Sequence, residues 1–310
     1  MSPPRLVSAE EVAQILTYDA CIPLMRDAMI ALSQGRTRQL LRGILDMEGG
    51  NAFGVMPGAM LGGSFGAKLI SIFPGNVAAG GLSHQGVVAL FDGETGAPRA
   101  FVDAGALTAI RTAAASAAAT DVLARADARH LAVLGTGEQA LRHIEAIRHV
   151  RPIDRVTIWG RDPAKAGAVA AETGGEAAAS PAEAAAGADI ICTVSGASEP
   201  ILASRDVADG AHVNAVGSSR AGPTEIANDL VARARFYADH REGVLAQGAE
   251  FINARAAGLV GDDHLLGEIG EVMAGSLSGR TSDADVTLYK SLGSIVQDIA
   301  AADYVVGKAG

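Results

Sequence analysis

The sequence predicts an α/β protein of two domains, one built on a parallel sheet and one of α+β type. Three observations favour this fold class. The chain has 310 residues, which exceeds the usual length of one domain. From His130 onward, short apolar runs alternate with helical patterns, as in a parallel sheet with helices on both faces. The residues before that point read as strands joined by turns, which is typical of an antiparallel meander.

Composition excludes several classes of partner. The chain is 49% hydrophobic and 19% charged, as in a globular protein, and its net charge of -10 disfavours nucleic acids and anionic membranes. No apolar run reaches the ~18 residues of a membrane span, and the N-terminal stretch Met1–Arg5 lacks a signal pattern. Cys21 and Cys192 lie in apolar contexts without metal or redox spacing, which indicates buried thiols. These features predict a cytoplasmic protein without a metal site.

The first part of the chain begins with a helix. Ser8-Ala9-Glu10-Glu11 is a capping box, and a second helical pattern covers 22–32. Strand patterns follow at 43–47, 51–56, 66–72 and 85–92, and a Gly-rich turn then leads to a return strand at 99–103. This order predicts an α+β domain.

An Ala-rich helix at 105–123, interrupted by Arg111, is apolar nearly all round and is therefore expected to be a buried connector to the second domain. Strands are then predicted at 130–134, 156–159, 189–194, 211–216 and 234–238, with two Ala-rich helices between 164 and 186 that separate at Gly174-Gly175. A final helix is predicted over 287–305.

The strand 130–134 runs into Gly135-x-Gly137-x-x-Ala140 and then into a helical pattern. Gly135 permits a tight turn, Gly137 has no Cβ to obstruct a phosphate, and Ala140 lets the helix pack closely on the strand. The free N–H groups of the first helical turn then bind a pyrophosphate. Because strand 155–159 follows at a βαβ distance, the motif predicts dinucleotide binding, with a purely structural turn as the alternative.

The end of the second strand bears on which nicotinamide cofactor binds. A carboxylate there accepts from the ribose 2′-hydroxyl of NAD, whereas an arginine favours the 2′-phosphate of NADP. Asp162 directly precedes Pro163 and is better interpreted as a helix N-cap, which leaves Arg161 nearest the ribose. The sequence favours NADP over NAD, the alternative being a solvent-facing Arg161 that is indifferent to the cofactor.

Several stretches, in order and spread over nearly the whole chain, resemble the ornithine cyclodeaminase/mu-crystallin family. They are Met56-Pro57-Gly58, Gly66-Ala67-Lys68-Leu69, Ser83-His84-Gln85, Thr108–Ala114, the Gly135 turn, Asn214–Arg220 and Tyr289–Gly293. The resemblance implies a substrate-binding and dimerisation domain at 1–112 with 288–310, a Rossmann NAD(P)-binding domain at 113–287, and a homodimer. It also implies hydride transfer between a nicotinamide and the α-carbon of a small α-imino or α-amino acid.

Carried over from the family, the cations that bind the substrate carboxylate fall on Arg42, Lys68 and Arg111, and Gln85 is implied as a polar substrate contact. Charge-assisted hydrogen bonds suit this task. Arg111 is the most informative because an unpaired buried guanidinium is costly, although an internal salt bridge is the alternative. For Lys68 the alternative is an outward, solvated lysine, and for Gln85 it is an ordinary strand residue.

The predicted catalytic residues are Lys68, Arg111 and Ser219. The predicted cofactor contacts, by contrast, lie in the turn and near later strands. They are Gly135, Thr136, Gly137, Glu138, Gln139, Arg161, Thr193, Val194, Ser195, Val216, Gly217, Ser218 and Gly293.

Ser219 bears on the choice of reaction. Ornithine cyclodeaminases of the family carry an aspartate at the matching position, and a serine hydroxyl cannot replace it as a base near neutral pH. The sequence therefore favours an NADPH-dependent reductase of an α-imino acid, such as a cyclic ketimine. An ornithine cyclodeaminase, an alanine-type dehydrogenase and an NADPH-dependent small-molecule binder remain as alternatives.

Overall fold

A computed structural model describes residues 3–81 and 83–309, so Met1 and Ser2 of the N-terminal stretch discussed above lie outside it. The helices of the described residues are α1 (Ala9–Ile15), α2 (Tyr18–Ser33), α3 (Ala104–Leu123), α4 (Glu138–Arg148), α5 (Pro163–Thr173), α6 (Pro181–Ala185), α7 (Asn228–Arg233), α8 (Arg241–Gln247), α9 (Ala249–Ala256), α10 (Ile269–Met273) and α11 (Ile295–Lys308).

The strands of the described residues are β1 (Arg5–Val7), β2 (Thr37–Gln39), β3 (Gly43–Asp46), β4 (Ala52–Met60), β5 (Phe65–Ile72), β6 (His84–Phe91), β7 (Pro98–Asp103), β8 (His130–Leu134), β9 (Arg155–Trp159), β10 (Glu176–Ala177), β11 (Ile190–Thr193), β12 (His212–Ala215), β13 (Arg235–Ala238), β14 (Leu265–Glu268) and β15 (Thr287–Lys290).

The chain forms two compact units. The first contains the described residues up to Arg111 and those from Ser294 onward, and the second runs from Thr112 to Gly293. The first division falls inside α3. Residues 288–293, expected in the first domain, lie in the second unit.

The first unit is an α+β structure. Its sheet has the order β1-β7-β6-β5-β4-β2, with β3 also paired to β4, and β4 through β7 form the predicted antiparallel meander. Helix α11 packs on β4, β5 and β6 and against α2. The capping box is confirmed, because the Ser8 hydroxyl accepts from the Glu11 N–H and the Glu11 carboxylate accepts from the Ser8 N–H.

The second unit carries the predicted parallel sheet. Over the described residues its order is β10-β9-β8-β11-β12-β15-β13-β14, and every pairing is parallel. The chain moves outward from β8 to β9 and β10 and then returns to the other side of β8 with β11. The carboxyl ends of β8 and β11 therefore flank the point where strand order reverses, which is where open α/β sheets bind ligands.

The helix predicted from residue 287 is wrong in its first part. Thr287–Lys290 is a fully buried strand between β12 and β13, and the helix begins only at Ile295. A fully buried strand lacks the alternation that identifies a half-exposed one, so periodicity alone does not separate it from a helix. Strands β1, β2, β10 and β14 have two to four residues each and were not predicted.

Both cysteines are free and buried, as expected, and burial raises the pKa of each thiol to about 12. None of the described helices combines the length and the hydropathy that crossing a bilayer requires. The cytoplasmic location stays a prediction.

Two histidines of the second unit are fully buried. His143 is hydrogen-bonded to the Gln139 carbonyl and the Ser116 hydroxyl, and His212 to Thr287 and Asn214. Because burial disfavours the charged imidazolium, the pKa of His143 falls to about 4 and that of His212 to about 3.

These shifts predict acid sensitivity of the second unit. Below pH ~6.5 the unfolded chain takes up protons that the folded one does not, so the free energy of unfolding falls as pH drops, by about 2 kcal/mol per histidine at pH 5. Urea unfolding of the protein at pH 7 and pH 5, followed by the fluorescence of the lone Trp159 on β9, measures this loss. In His143→Gln the loss should shrink by about 2 kcal/mol. The exposed His149 gives the control, His149→Gln, and equal losses in all three proteins would contradict the prediction.

Candidate functional site

The glycine-rich turn lies between β8 and α4. Gly135 has a φ of 146°, which L side chains rarely adopt, and a Cβ there would lie 2.6 Å from the Val194 carbonyl oxygen. A Cβ on Gly137 would meet nothing within 4 Å, and Ala140 is fully buried. The turn therefore combines tight backbone packing at its start with open space at its end, as dinucleotide binding requires.

The start of α4 is left without a side-chain cap. Gly137 is its N-cap residue and offers no side-chain acceptor, whereas Asp162 caps α5 by accepting from the N–H groups of Ala164 and Lys165 at 3.0 and 3.4 Å. The first N–H groups of α4 are therefore suited to an anion. Around the turn, Glu138 is exposed, and Thr136 and Gln139 are half-buried.

Arg161 lies two residues beyond Trp159, the last residue of β9. Its side chain is exposed and makes no ion pair or hydrogen bond with the residues that the structure describes. Asp162 is the N-cap of α5, with Pro163 at the first helical position, as the sequence predicted. The Asp162 carboxylate is thus used to cap α5, whereas the neighbouring Arg161 guanidinium is exposed and could contact a ligand.

Glu225 joins the loops after β11 and β12. Its carboxylate accepts from the Ser195 N–H at 2.7 Å, the Ser195 hydroxyl at 2.6 Å, the Thr193 hydroxyl at 2.8 Å and the Gly217 N–H at 2.7 Å. A Cβ on Gly217 would lie 2.3 Å from the Ser195 carbonyl oxygen, so this approach requires glycine. Burial raises the pKa of Glu225, and the donors and Lys290 oppose that rise. Three predicted cofactor contacts are therefore held by one carboxylate.

Lys290, at the end of β15, holds a second loop in place at this edge of the sheet. It is fully buried, lies 2.7 Å from the Glu250 carboxylate and donates to the Ser218 carbonyl oxygen at 2.6 Å. The next loop is anchored similarly, because the Asp239 carboxylate accepts from the Gly293 N–H at 2.6 Å. Predicted contacts from three strands thus rest on buried charged groups.

The first unit contains a buried charge cluster. Arg111 on α3 donates from Nε to the Asp298 carboxylate at 2.9 Å and from Nη1 to the Gln297 side-chain oxygen at 2.8 Å. Lys68 on β5 donates to the Thr108 hydroxyl at 2.6 Å and lies 3.5 Å from the same Asp298 oxygen. Both cations are about 4% exposed and Asp298 is fully buried. The internal salt bridge considered for Arg111 is therefore present, and it includes Lys68.

The charges of this cluster act on Lys68. Burial lowers the pKa of Lys68 to about 8; Asp298 opposes this, while the positive charges of Arg111 and Arg42 add to it. Arg42, half-buried before β3, is thus near enough for its charge to reach Lys68. The three cations that the resemblance implied all belong to the first unit, and the charges of Arg111 and Arg42 both act on Lys68 there.

The other two predicted residues are less constrained. Gln85 is exposed near the start of β6, and its backbone carbonyl accepts from the Ser71 hydroxyl. Ser219 is half-buried in the loop after β12, in the second unit. Roles for both residues stay predictions.

Sequence reasoning missed the acidic partners. Asp298 and Gln297 interrupt the apolar pattern of α11 just as Arg111 interrupts that of α3, and two such interruptions of opposite charge were a usable signal. Glu225 had no such signal, because it lies in an irregular segment. Within 3–81 and 83–309, no group of three or more histidine, cysteine, aspartate and glutamate side chains is arranged to hold a metal ion.

Comparison with known proteins gives the same family throughout the chain. Residues 4–310 match the Ornithine cyclodeaminase/mu-crystallin family. A Delta(1)-pyrroline-2-carboxylate reductase of Bacillus cereus is 34% identical over 313 residues, covering 98% of this chain and 96% of the relative.

Two solved structures are similar over nearly their whole length. Thermococcus litoralis Delta(1)-pyrroline-2-carboxylate reductase, in complex with NADH and L-proline, has a TM-score of 0.94 and 28% identity, covering 98% of this chain and 97% of the other. An archaeal alanine dehydrogenase dimer with bound NAD has a TM-score of 0.92 and 27% identity, covering 99% and 96%. The predicted fold class is confirmed, and the chain belongs to the ornithine cyclodeaminase/mu-crystallin family.

Proposed function

We propose that this protein is an NADPH-dependent reductase that converts an α-imino acid to the L-amino acid, with cyclic ketimines such as pyrroline-2-carboxylate as the substrate class. The observation that carries the proposal is that two buried cations, Lys68 and Arg111, share one oxygen of Asp298, with the half-buried Arg42 near enough for its charge to act on Lys68. A buried excess of positive charge is stabilised by a bound anion, and the α-carboxylate of the substrate is that anion.

The residues of the second unit fit a nicotinamide dinucleotide. The Gly135 turn and the uncapped start of α4 would hold the pyrophosphate, and the loops joined by Glu225 would line the remainder of the cofactor. When bound, the cofactor supplies the hydride. The Thermococcus litoralis reductase in complex with NADH and L-proline supports this assignment.

The protein's own contribution is to position the substrate. Reduction of an iminium acid adds a hydride to the imine carbon while the C=N π electrons move to a nitrogen that already carries its proton. No strong protein base is needed, and orientation of the reactants supplies much of the rate enhancement. Ser219 has a hydroxyl but no carboxylate, which disfavours cyclodeamination of ornithine.

The proposed reaction and the role of Arg111 can be tested together. The protein should oxidise NADPH with pyrroline-2-carboxylate or piperideine-2-carboxylate, followed as absorbance, and should release little ammonia from ornithine. Arg111→Lys keeps the charge but loses the planar fork of donors, so kcat/KM for the imino acid should fall by about 10- to 100-fold.

Arg99→Lys is the matched control, because Arg99 also pairs with an aspartate of α11, Asp303, but outside the cluster. It should leave kcat/KM within about twofold of the wild type. Ammonia release from ornithine without any reduction of imino acids would instead identify a cyclodeaminase and overturn the proposal.

We also propose that NADP is preferred over NAD. The support is the exposed Arg161 at the end of β9, beside an Asp162 that is committed to capping α5. An exposed guanidinium attracts the 2′-phosphate of NADP, whereas the 2′-hydroxyl of NAD offers it no charge.

Arg161→Ser should accordingly raise the Kd for NADPH by about five- to tenfold and change that for NADH by less than about twofold. Fluorescence titration with each cofactor measures both constants. Arg205→Ser, which changes an arginine of the same unit with an 85% exposed side chain, serves as the control. Equal losses for NADPH and NADH in Arg161→Ser would reject the assignment.

The protein is further proposed to form a homodimer through the β3 edge of the first unit. Every residue of β3 is exposed, and Leu40, Ile44, Leu45 and Met47 are 72%, 39%, 63% and 38% exposed. A concentration of large apolar side chains on a strand of this kind is typical of an interface. The dimer of the related archaeal alanine dehydrogenase supports a second copy as the partner.

Sedimentation velocity at micromolar concentration should therefore give a dimer. Leu45→Glu should shift the protein to monomer, because it places a charge in the apolar contact. Leu259→Glu changes a leucine of the second unit that is 54% exposed, and it should leave the dimer intact. A wild-type monomer, or a Leu45→Glu variant that dimerises like the wild type, would contradict this interface.

A further inference from the structure

Asp298 is the carboxylate that the buried cations Lys68 and Arg111 share. It lies in the first turn of α11 and is fully buried. Its Oδ1 accepts from Arg111 Nε at 2.9 Å and lies 3.5 Å from Lys68 Nζ. Its Oδ2 is also buried and accepts no hydrogen bond from any described group. The negative charge of Asp298 is therefore balanced by these two cations rather than by backbone N–H groups.

The dependence is mutual, because Lys68 has few other groups to favour its charged form. Its neighbours across the sheet are Met56 on β4 and Val88 on β6, which carry no charge. Helix α3 supplies the neutral hydroxyl of Thr108 and the positive charge of Arg111. Burial and the charges of Arg111 and Arg42 lower the pKa of Lys68 to about 8, and among these groups only Asp298 opposes them with a charge.

We propose that Asp298 is a positioning residue for the reductase reaction: it fixes the guanidinium of Arg111 and the ammonium of Lys68 so that both can receive the substrate carboxylate. This inference rests on the proposed function. Without the negative charge of Asp298, the two buried cations Lys68 and Arg111 would remain close together, with the charge of Arg42 also acting on Lys68. Loss of the Lys68 proton would reduce the repulsion between these positive charges, because arginine does not deprotonate in proteins.

The sign of the pH dependence follows from this arrangement. A lysine is charged below its pKa, so in the wild type the affinity for the substrate carboxylate should be constant below about pH 8 and fall above it. In Asp298→Asn the pKa of Lys68 should be lower by about one unit or more, because the attractive charge is gone and the repulsive ones remain. The variant should therefore lose affinity at a lower pH than the wild type.

The lysine content allows a direct test that does not need turnover. The chain has four lysines, Lys68, Lys165, Lys290 and Lys308, so protein labelled with [ε-13C]lysine should give four NMR signals. Lys68→Arg assigns the signal of interest. Its titration should have a midpoint near 8 in the wild type and at least about one unit lower in Asp298→Asn. The exposed Lys165 and Lys308 serve as internal references.

Steady-state kinetics supplies the second readout. At pH 7.5, Asp298→Asn should raise KM for the imino acid about tenfold or more, with a smaller change in kcat. The alkaline limb of its kcat/KM profile should move to lower pH, and its Kd for NADPH should stay unchanged. Asp303→Asn alters a 45% exposed aspartate of the same helix that pairs with Arg99, and it should leave both KM and the limb in place.

Distinct outcomes separate the two proposals. An unchanged Lys68 titration together with an unchanged KM in Asp298→Asn would overturn the role of Asp298. If Asp298→Asn does not fold, Asp298→Glu provides the test. Its retained negative charge should keep the midpoint of the Lys68 titration near 8. Its longer side chain should displace both cations and thereby raise KM for the imino acid. An unchanged KM in that variant would equally overturn the inference. A wild type that reduces no imino acid would reject the proposed function alone, because the NMR titration still tests the link between Asp298 and Lys68.

Discussion

The burial of Arg111 is the constraint on which the first unit depends. A guanidinium that is about 4% exposed is stable only with a partner, and Asp298 and Gln297 of α11 provide it. Lys68 joins the same carboxylate from β5. One helix of the N-terminal segment, one strand and the last helix are thus held by a single set of charges. The hydrogen bonds to Arg111 also fix the rotation of α11, because they require Gln297 and Asp298 to face that guanidinium.

The second unit applies the same principle with the charges reversed. There a carboxylate, Glu225, is buried among donors from two loops, and Lys290 compensates a neighbouring acid, Glu250. Parallel strands bring all their carboxyl ends to one edge, so loops that are far apart in sequence become neighbours. Fixing those loops with buried acids gives a ligand a rigid surface, because each loop would have to break charged hydrogen bonds in order to move.

The features of this fold that depend on local sequence were predictable. Strand β8 and the Gly135 turn are a local pattern, and the caps at Ser8 and Asp162 depend on residues only a few positions apart. The partners of Arg111 were not found, because they lie 186 and 187 residues further along the chain and no local rule connects them. Strand β15 was mistaken for helix since it is buried on all sides. The resemblance to the family identified the three cations in the sequence. The residues that hold them in place could be identified only from the folded structure.

The division of the chain also dictates an order of assembly. The second unit is one continuous stretch, Thr112–Gly293, whereas the first is completed by residues that follow it. A ribosome therefore delivers Lys68 and Arg111 long before Asp298. Until the closing helix emerges, the early sheet must keep its cationic side chains hydrated or bound to some other anion, while the inserted parallel sheet already has every strand it needs. The first unit can therefore be completed only after the whole of the second unit has been synthesised.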